Sequence, residues 1–237
     1  MRTESVIFDL YGTLADIHTD ESMPALWEDA AAFACRCGAS YSAAAYREAY
    51  LALCRDEVQR RAKTLPAVPV EWVEPELLNV FVRLLGADEA TARLAARRFR
   101  ERSTLHIRPM PHAIETLTRL REQGKRLFLL SNAQACFTRD ELELLDLKDR
   151  FDGIVLSSDA GMKKPYRGLF ELLLQRYGID PDTALMVGND AVADMGGAHG
   201  AHLNGAYLHT WQSGERPDAL PQGCFEIKDL WELTTEA

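Results

Sequence analysis

Residues 5–14, SVIFDLYGTL, decide how this chain is read. Val6, Ile7 and Phe8 form an unbroken apolar run, the pattern of a strand buried on both faces. Asp9 closes the run with a carboxylate. Gly12 and Thr13 follow at once, and a glycine there suits a tight turn or a close approach of backbone to a ligand. A carboxylate at the C-terminal end of a buried strand lies where open α/β sheets bind their ligands. A strand-ending aspartate that merely caps a turn would look the same, so the meaning of the stretch depends on what the rest of the chain places beside it.

From residue 109 onward, strand and helix patterns alternate. A helix is expected over 112–123, stopped by Gly124, then an apolar strand over 126–130 ending at Ser131-Asn132 and a helix over 138–145. A strand over 151–157 is followed by Lys164-Pro165, a helix over 169–177 is stopped by Gly178, and a strand over 184–187 leads into Gly188-Asn189-Asp190, which open another helix. A strand over 203–209 and a short helix over 229–236 end the chain. This alternation specifies an α/β fold, a parallel sheet wrapped by helices with right-handed crossovers.

Residues 16–108 have a different character, helical patterning with little strand signal. Helices are expected over 23–37, 42–63, 74–85 (with Pro75 in the first turn and Gly86 past the end) and 88–103 (with Asp88 as N-cap), and residues 64–73 form a loop with Pro66 and Pro69. Four helices in succession form a bundle-like insert. The expected organisation is a core of residues 1–15 and 109–237 and a helical domain of residues 16–108. The insert carries 13 Lys and Arg against 14 Asp and Glu, leaving 14 against 22 for the core, so the net charge of −9 resides almost wholly in the core.

That charge argues against a general nucleic-acid binder, and no apolar run approaches the ~18 residues of a membrane span. The N-terminus lacks a signal-peptide pattern, and the five cysteines are scattered and odd in number. Together they suggest reduced thiols in a cytoplasmic protein, a monomer or homodimer whose partner is a small-molecule substrate. Cys35 and Cys37, or His199 and His202 with His209, are more simply packing and loop residues than zinc ligands. Trp72 and Tyr46 are candidates for either core or pocket.

Four polar clusters each follow an expected strand: Asp9, Ser131-Asn132, Lys164, and Asn189-Asp190 with Asp194. In a parallel sheet all strand C-termini face one edge, so these groups converge on one crevice. They comprise a nucleophile candidate, a hydroxyl and an amide able to hydrogen-bond an anion, a lysine point charge, and two acids able to hold a hard cation. Four positions apart, Asp190 and Asp194 would share one face of a helix.

In this order the clusters resemble the four motifs of the haloacid dehalogenase superfamily: Asp9-Leu10-Tyr11-Gly12-Thr13-Leu14, then Leu130-Ser131-Asn132, then Lys164-Pro165, then Gly188-Asn189-Asp190 through Asp194. The resemblance spans nearly the whole core, and the helical insert sits where the family places its first type of cap domain. It implies a Rossmann-like parallel sheet with an inserted all-helical cap, and an aspartate nucleophile that forms a covalent intermediate hydrolysed by water. It also implies that cap closure shields the site and selects the substrate.

The chain departs from that pattern at Tyr11. The family's phosphatases usually have a second aspartate there, which protonates the leaving alkoxide and then activates water. A tyrosine, with a pKa near ~10, is a poor general base at neutral pH. The family's dehalogenases do carry tyrosine, because halide leaves without a proton. Two other positions oppose dehalogenation. The fourth motif resembles the magnesium-binding version, and Phe170 stands where dehalogenases have a tyrosine six residues after the lysine. The resemblance therefore implies a Mg2+-dependent phosphatase acting on a small phosphorylated metabolite. Asp9 attacks phosphorus, and Ser131 and Asn132, with Gly12 and Thr13, bind the substrate. Lys164 neutralises developing charge, and Asp9, the Tyr11 carbonyl, Asn189, Asp190 and Asp194 hold the metal. The alternatives are a 2-haloacid dehalogenase and a protein that keeps the fold for binding alone. His18, in the loop 16–21 beside the nucleophile, is the candidate stand-in for the missing acid.

Overall fold

The computed structural model describes residues 3–235. Its centre is β1 (Ser5–Phe8), flanked in a six-stranded, all-parallel sheet. The other strands are β4 (Arg126–Ser131), β5 (Gly153–Leu156), β6 (Ala184–Gly188), β7 (Asn204–Leu208) and β8 (Cys224–Ile227), in the spatial order β5-β4-β1-β6-β7-β8. Side chains alternate along a strand, so each must find a buried layer on both faces. Val6 and Phe8, with Leu127, Leu129 and Val187, pack under α5 (Ala113–Glu122) through Leu117 and Leu120. Ile7, Phe128, Leu130 and Met186 pack on the opposite face against Leu169, Phe170 and Leu173 of α8 (Arg167–Tyr177). Helix α6 (Ala135–Leu144) follows β4, and the short α7 (Ser157–Ala160) follows β5. Phe8 pairs in register with both Leu129 and Val187, which brings Asp9, Ser131 and Gly188 to one edge.

The insert contains α1 (Pro24–Arg36), α2 (Ala43–Thr64), α3 (Leu77–Leu85) and α4 (Glu89–Ser103). They pack about a core of their own, with Trp27, Tyr46, Tyr50, Phe81 and Phe99 at its centre. Caps end the helices where the sequence suggests: the Ser42 side chain accepts from Ala45 N–H, Asp88 from Thr91 N–H, and Gly86 closes α3 in the left-handed region. No helix among the described residues is long and apolar enough to cross a membrane.

Several expectations are corrected. The insert is not wholly helical at its boundaries. Its entry and exit are β2 (Ala15–Thr19) and β3 (Thr104–Pro109), an antiparallel ribbon in which Ile17 faces Ile107 and His18 faces His106. The expected loop 16–21 is thus largely strand. The two strands lie some ninety positions apart, and pairing of that range is decided by tertiary contact rather than local propensity. Pro75 precedes α3 rather than opening it, because Glu76 is the N-cap. The helix expected after Asp190 begins as a π-helical turn, Ala191–Gly196, before α9 (Gly197–Gly200). The sixth strand, β8, went unpredicted. The expected 229–236 helix is a 3-10 stretch, Leu230–Thr234, and residue 236 lies outside the described residues.

Candidate active site

Asp9 emerges from β1 with its N–H bonded to Val187 O at 2.9 Å, which ties the nucleophile candidate to the neighbouring strand. Its Oδ1 accepts from Lys164 Nζ at 2.6 Å and from Ser131 Oγ at 3.0 Å. Lys164 is 3% exposed. All three of its ammonium hydrogens have acceptors: Asp9 Oδ1, Asp194 Oδ1 at 2.6 Å and Leu130 O at 2.9 Å. Burial alone would lower the lysine pKa, but the charges of Asp194 and Asp9 outweigh it and hold the group above its ordinary value. Lys164 is therefore a fixed cation.

Asp194 is delivered by the π-helical turn. Asp190 caps that turn, its Oδ1 accepting from Val192 N–H and Ala193 N–H at 2.8 Å each. The Asp190 N–H in turn reaches Asp194 Oδ2 at 2.9 Å. The wider turn rolls Asp194 inward to 1% exposure while Asp190 stays at the rim. The expectation that the two acids share one face of an α-helix is corrected accordingly. Gly188 permits this arrangement, since a Cβ there would lie 2.2 Å from Asp194 Oδ2. Burial, and the nearby charge of Asp9, raise the Asp194 pKa.

The remaining motif residues mostly hold others in place. Both ends of the Asn132 amide are engaged by the Lys164 backbone, Oδ1 accepting its N–H at 2.7 Å and Nδ2 donating to its carbonyl at 3.0 Å. Thr13, fully buried, donates to Asn189 Oδ1 at 3.3 Å. Gly12 has φ +81°, and a Cβ there would lie 2.3 Å from Asn189 Nδ2. Neither Gly12 nor Thr13 lines the cavity in front of Asp9. They pack Asn189, and this differs from the substrate contact expected of them.

That cavity has a volume of about 210 Å3. Asp9, Tyr11, Ser131, Asn132, Lys164, Asn189, Asp190 and Asp194 line it, so eight sequence-chosen residues do converge. Gln212 also lines it and was not anticipated. It lies in the turn after β7, its amide clasping the Ile17 backbone through Nε2–H···O at 2.9 Å and N–H···Oε1 at 3.4 Å. Only a fold that lays this turn on β2 brings Gln212 to the site.

Tyr11 borders the cavity, but its hydroxyl points elsewhere. It bonds to Thr138 Oγ1 at 2.8 Å and donates to Glu141 Oε2. Glu141 Oε1 accepts from Arg100 Nε at 2.6 Å, and the guanidinium lies 5.6 Å from the Tyr11 ring centroid. Burial first, and then the Glu141 charge, push the phenol well above its ordinary pKa. Sequence reasoning had no signal for this network, because its members lie on β1's loop, α4 and α6. A larger cavity, about 440 Å3, lies beyond Arg100 and Glu141 and shares no lining residue with the one at Asp9.

The expected stand-in acid is not at the site. His18 is exposed on the ribbon, its ring packed on His106 and Trp211 at 5.9 and 5.7 Å. Among the other histidines, His199 bonds to Gln222 O and His209 to the Tyr207 hydroxyl. Tyr46 is core, and Trp72 is half-buried, its carbonyl accepting from Lys163 N–H at 2.9 Å.

No group of three or more His, Cys, Asp or Glu side chains stands ready to hold a metal among the described residues. The donor chemistry nevertheless fits a hard cation. Asp9, Asn189, Asp190 and Asp194 present only oxygens and amide to one cavity, and their charges exceed the single one on Lys164. Oxygen donors with surplus negative charge are what Mg2+ takes.

The six-stranded parallel sheet wrapped by helices, the helical insert after the first strand and the four polar clusters converging at one sheet edge define a Rossmann-like α/β class. The family model for haloacid dehalogenase-like hydrolases matches residues 3–202, and the chain belongs to that family. A phosphoserine phosphatase of Thermus thermophilus is 31% identical over 166 residues, 68% of this chain and 65% of its own length. A glyceraldehyde 3-phosphate phosphatase of Methanothermobacter thermautotrophicus is 33% identical over 104 residues, 44% of this chain and 46% of its own length. The matched stretch is thus less than two thirds of either relative. Among solved structures, a 2-haloacid dehalogenase from Pseudomonas syringae superposes with a TM-score of 0.65 at 20% identity, covering 98% of this chain and 97% of that one. A phosphatase of the same superfamily from Thermococcus onnurineus gives 0.60 at 21% identity over 98% and 97%. At those identities the likeness is one of fold.

Proposed function

We propose that the chain is a Mg2+-dependent phosphohydrolase that acts on a small phosphorylated molecule through a phosphoryl-Asp9 intermediate. The observation that carries this reading is the seating of Asp9. Lys164 and Ser131 hold its Oδ1, while Oδ2 has no hydrogen bond from any described residue and belongs to a group lining the cavity. An oriented carboxylate of this kind is a nucleophile whose attack needs no proton removed first. The matched relatives are named as phosphatases, which supports the reaction class.

In this reading Asp9 attacks phosphorus in line with the leaving oxygen, and Lys164 offsets the charge that gathers on the phosphoryl group. Ser131 keeps Asp9 aimed. Asn132 fixes the backbone of Lys164, so its contribution is to the lysine's position. Asp9, Asn189, Asp190, Asp194 and the Tyr11 carbonyl would hold the cation. When bound, it would draw charge from the phosphoryl oxygens. Residues 16–108 would form the cap over the cavity, and residues 1–15 and 109–237 the core.

One observation favours a second reading, a 2-haloacid dehalogenase. With the Tyr11 hydroxyl turned toward Glu141, the site offers it to no leaving group, and halide needs no proton. A single experiment separates the readings: phosphate release from phosphate esters and halide release from 2-chloropropionate, each with Mg2+ and with chelator. Phosphate release that requires Mg2+ and disappears in Asp9→Asn is the expected result. Halide release indifferent to chelator would establish the dehalogenase instead. No turnover of either, with the cellular role intact in Asp9→Asn, would leave a binding protein.

A further inference from the structure

We propose that this site selects substrates whose leaving group departs unprotonated, acyl phosphates foremost, and that phosphoryl-Asp9 accumulates during turnover. The inference rests on the phosphohydrolase reading and on the hydrogen bonds that occupy each proton carrier at the cavity. Tyr11 has its hydroxyl committed to Glu141 and Thr138. Lys164 has all three hydrogens shared among Asp9, Asp194 and the Leu130 carbonyl. The Ser131 hydroxyl donates its hydrogen bond to Asp9. Both oxygens of Asp194 are occupied, one by Lys164 and the other by the Asp190 N–H. Asp190 accepts two backbone N–H bonds through Oδ1 as the cap of the π-helical turn, and in the phosphohydrolase reading its Oδ2 is one of the oxygens that would hold the cation. No histidine lines the cavity, and the Gln212 amide has no proton to transfer.

The first step then proceeds without proton movement. Asp9 Oδ2 forms a bond to phosphorus, the bond from phosphorus to the leaving oxygen breaks, and its electron pair departs with that oxygen. A carboxylate, with a conjugate acid near ~4, leaves readily in this way. An alkoxide, whose conjugate acid is about as weak as water at ~15.7, does not. In the second step water oxygen bonds to phosphorus and the phosphorus–Oδ2 bond breaks, returning its pair to Asp9. The water's proton ends on the released phosphate. No side chain among the described residues is placed to take that proton as it comes off, so the second step is slowed whatever the leaving group was. A good leaving group therefore loads Asp9 faster than water unloads it.

The test uses the wild-type full chain with Mg2+. Acetyl phosphate and glycerol phosphate are compared by kcat/KM, and the acetyl phosphate reaction is followed by rapid acid quench and intact mass. General acid catalysis contributes about 10²–10⁴-fold, so acetyl phosphate should exceed glycerol phosphate by at least about 10²-fold. The quench should show a burst stoichiometric with the chain, its mass raised by one phosphoryl group on the peptide containing Asp9. Comparable rates on the acyl phosphate and the ester would overturn the substrate assignment while leaving the phosphohydrolase reading intact. Fast acetyl phosphate turnover without phosphoryl-enzyme would overturn the accumulation. Phosphate release from neither would remove the phosphohydrolase reading and this inference with it.

Discussion

Lys164 shows how much one side chain can organise. An ammonium buried to 3% exposure is tolerable only if each hydrogen has an acceptor, and the three acceptors come from the end of β1, the end of β4 and the π-helical turn after β6. Two of them are carboxylates that would otherwise face each other across the cavity. Lys164→Met keeps much of the volume but removes the charge between them. Loss of one transition-state donor of this kind costs about 10²–10³-fold in kcat. The variant should fall by at least that much in phosphate release, and it should also unfold more easily, since Asp9 and Asp194 are left buried without their counter-charge. An activity within tenfold of wild type, measured on the same ester, would exclude the role given to Lys164 here. Asn132 illustrates the opposite lesson. It sits in the right motif, but both ends of its amide serve the lysine's backbone.

At the scale of elements, the β2–β3 ribbon is the part that local patterning hid. Asp16 on β2 holds it together. Its carboxylate accepts from His106 Nε2 at 3.1 Å, Arg108 Nε at 2.8 Å and Trp211 Nε1 at 2.9 Å. Burial would raise its pKa, but those hydrogen bonds and the Arg108 charge outweigh burial and hold it below the ordinary aspartate value. A carboxyl depressed in the folded state stabilises the protein above its unfolded pKa, about 3.9, and that stabilisation is lost as pH falls through the folded value. Asp16→Asn should therefore cost about 1.5–3 kcal/mol near neutral pH, as expected for hydrogen bonds to a charged group. The gap between variant and wild type should hold from pH 7 to about 5 and close below about 4. Thermal unfolding of both proteins at pH 7, 5 and 3 measures it, and a gap that widens in acid would contradict the assignment.

At the scale of the whole molecule, the helical insert is tied to the sheet by a buried ion pair. Arg100 on α4 and Glu141 on α6 have side chains 16% and 9% exposed and meet at 2.6 Å. Trp72, Val73 and Glu74 add a backbone seam along residues 161–163, just ahead of Lys164. Breaking a buried pair strands a charge, whereas replacing both partners with apolar residues removes the desolvation cost as well. Glu141→Leu alone or Arg100→Met alone should destabilise by about 3–5 kcal/mol, and the two together should be neutral or more stable by about 1–4 kcal/mol. Urea unfolding of the single and double variants gives the coupling directly. Additive losses would mean that the pair does not act as a unit. The Tyr11 hydroxyl keeps Thr138 as a partner in the double variant, so the comparison is not confounded by an orphaned phenol.

Five of the six strands of the main sheet, and the edge where polar groups gather, were legible because a continuous apolar run and strand-end position are local properties. Val6 to Phe8 and the run of β4 could hardly be anything else. The convergence of Asp9, Ser131, Lys164, Asn189, Asp190 and Asp194 followed from parallel topology alone. Orientation was a different matter. Whether Tyr11 faces the cavity depends on Glu141 and Arg100, 130 and 89 positions away along the chain. Gln212 reaches the site through Ile17, and Asp194 turns inward through a π-helical turn that no α-helical spacing foretells. Sequence by itself determined which of the residues that follow the strands meet, because strand order and burial bring their backbones to one edge. Only the tertiary structure decided which way those side chains point, because each takes its direction from hydrogen-bond partners distant in sequence.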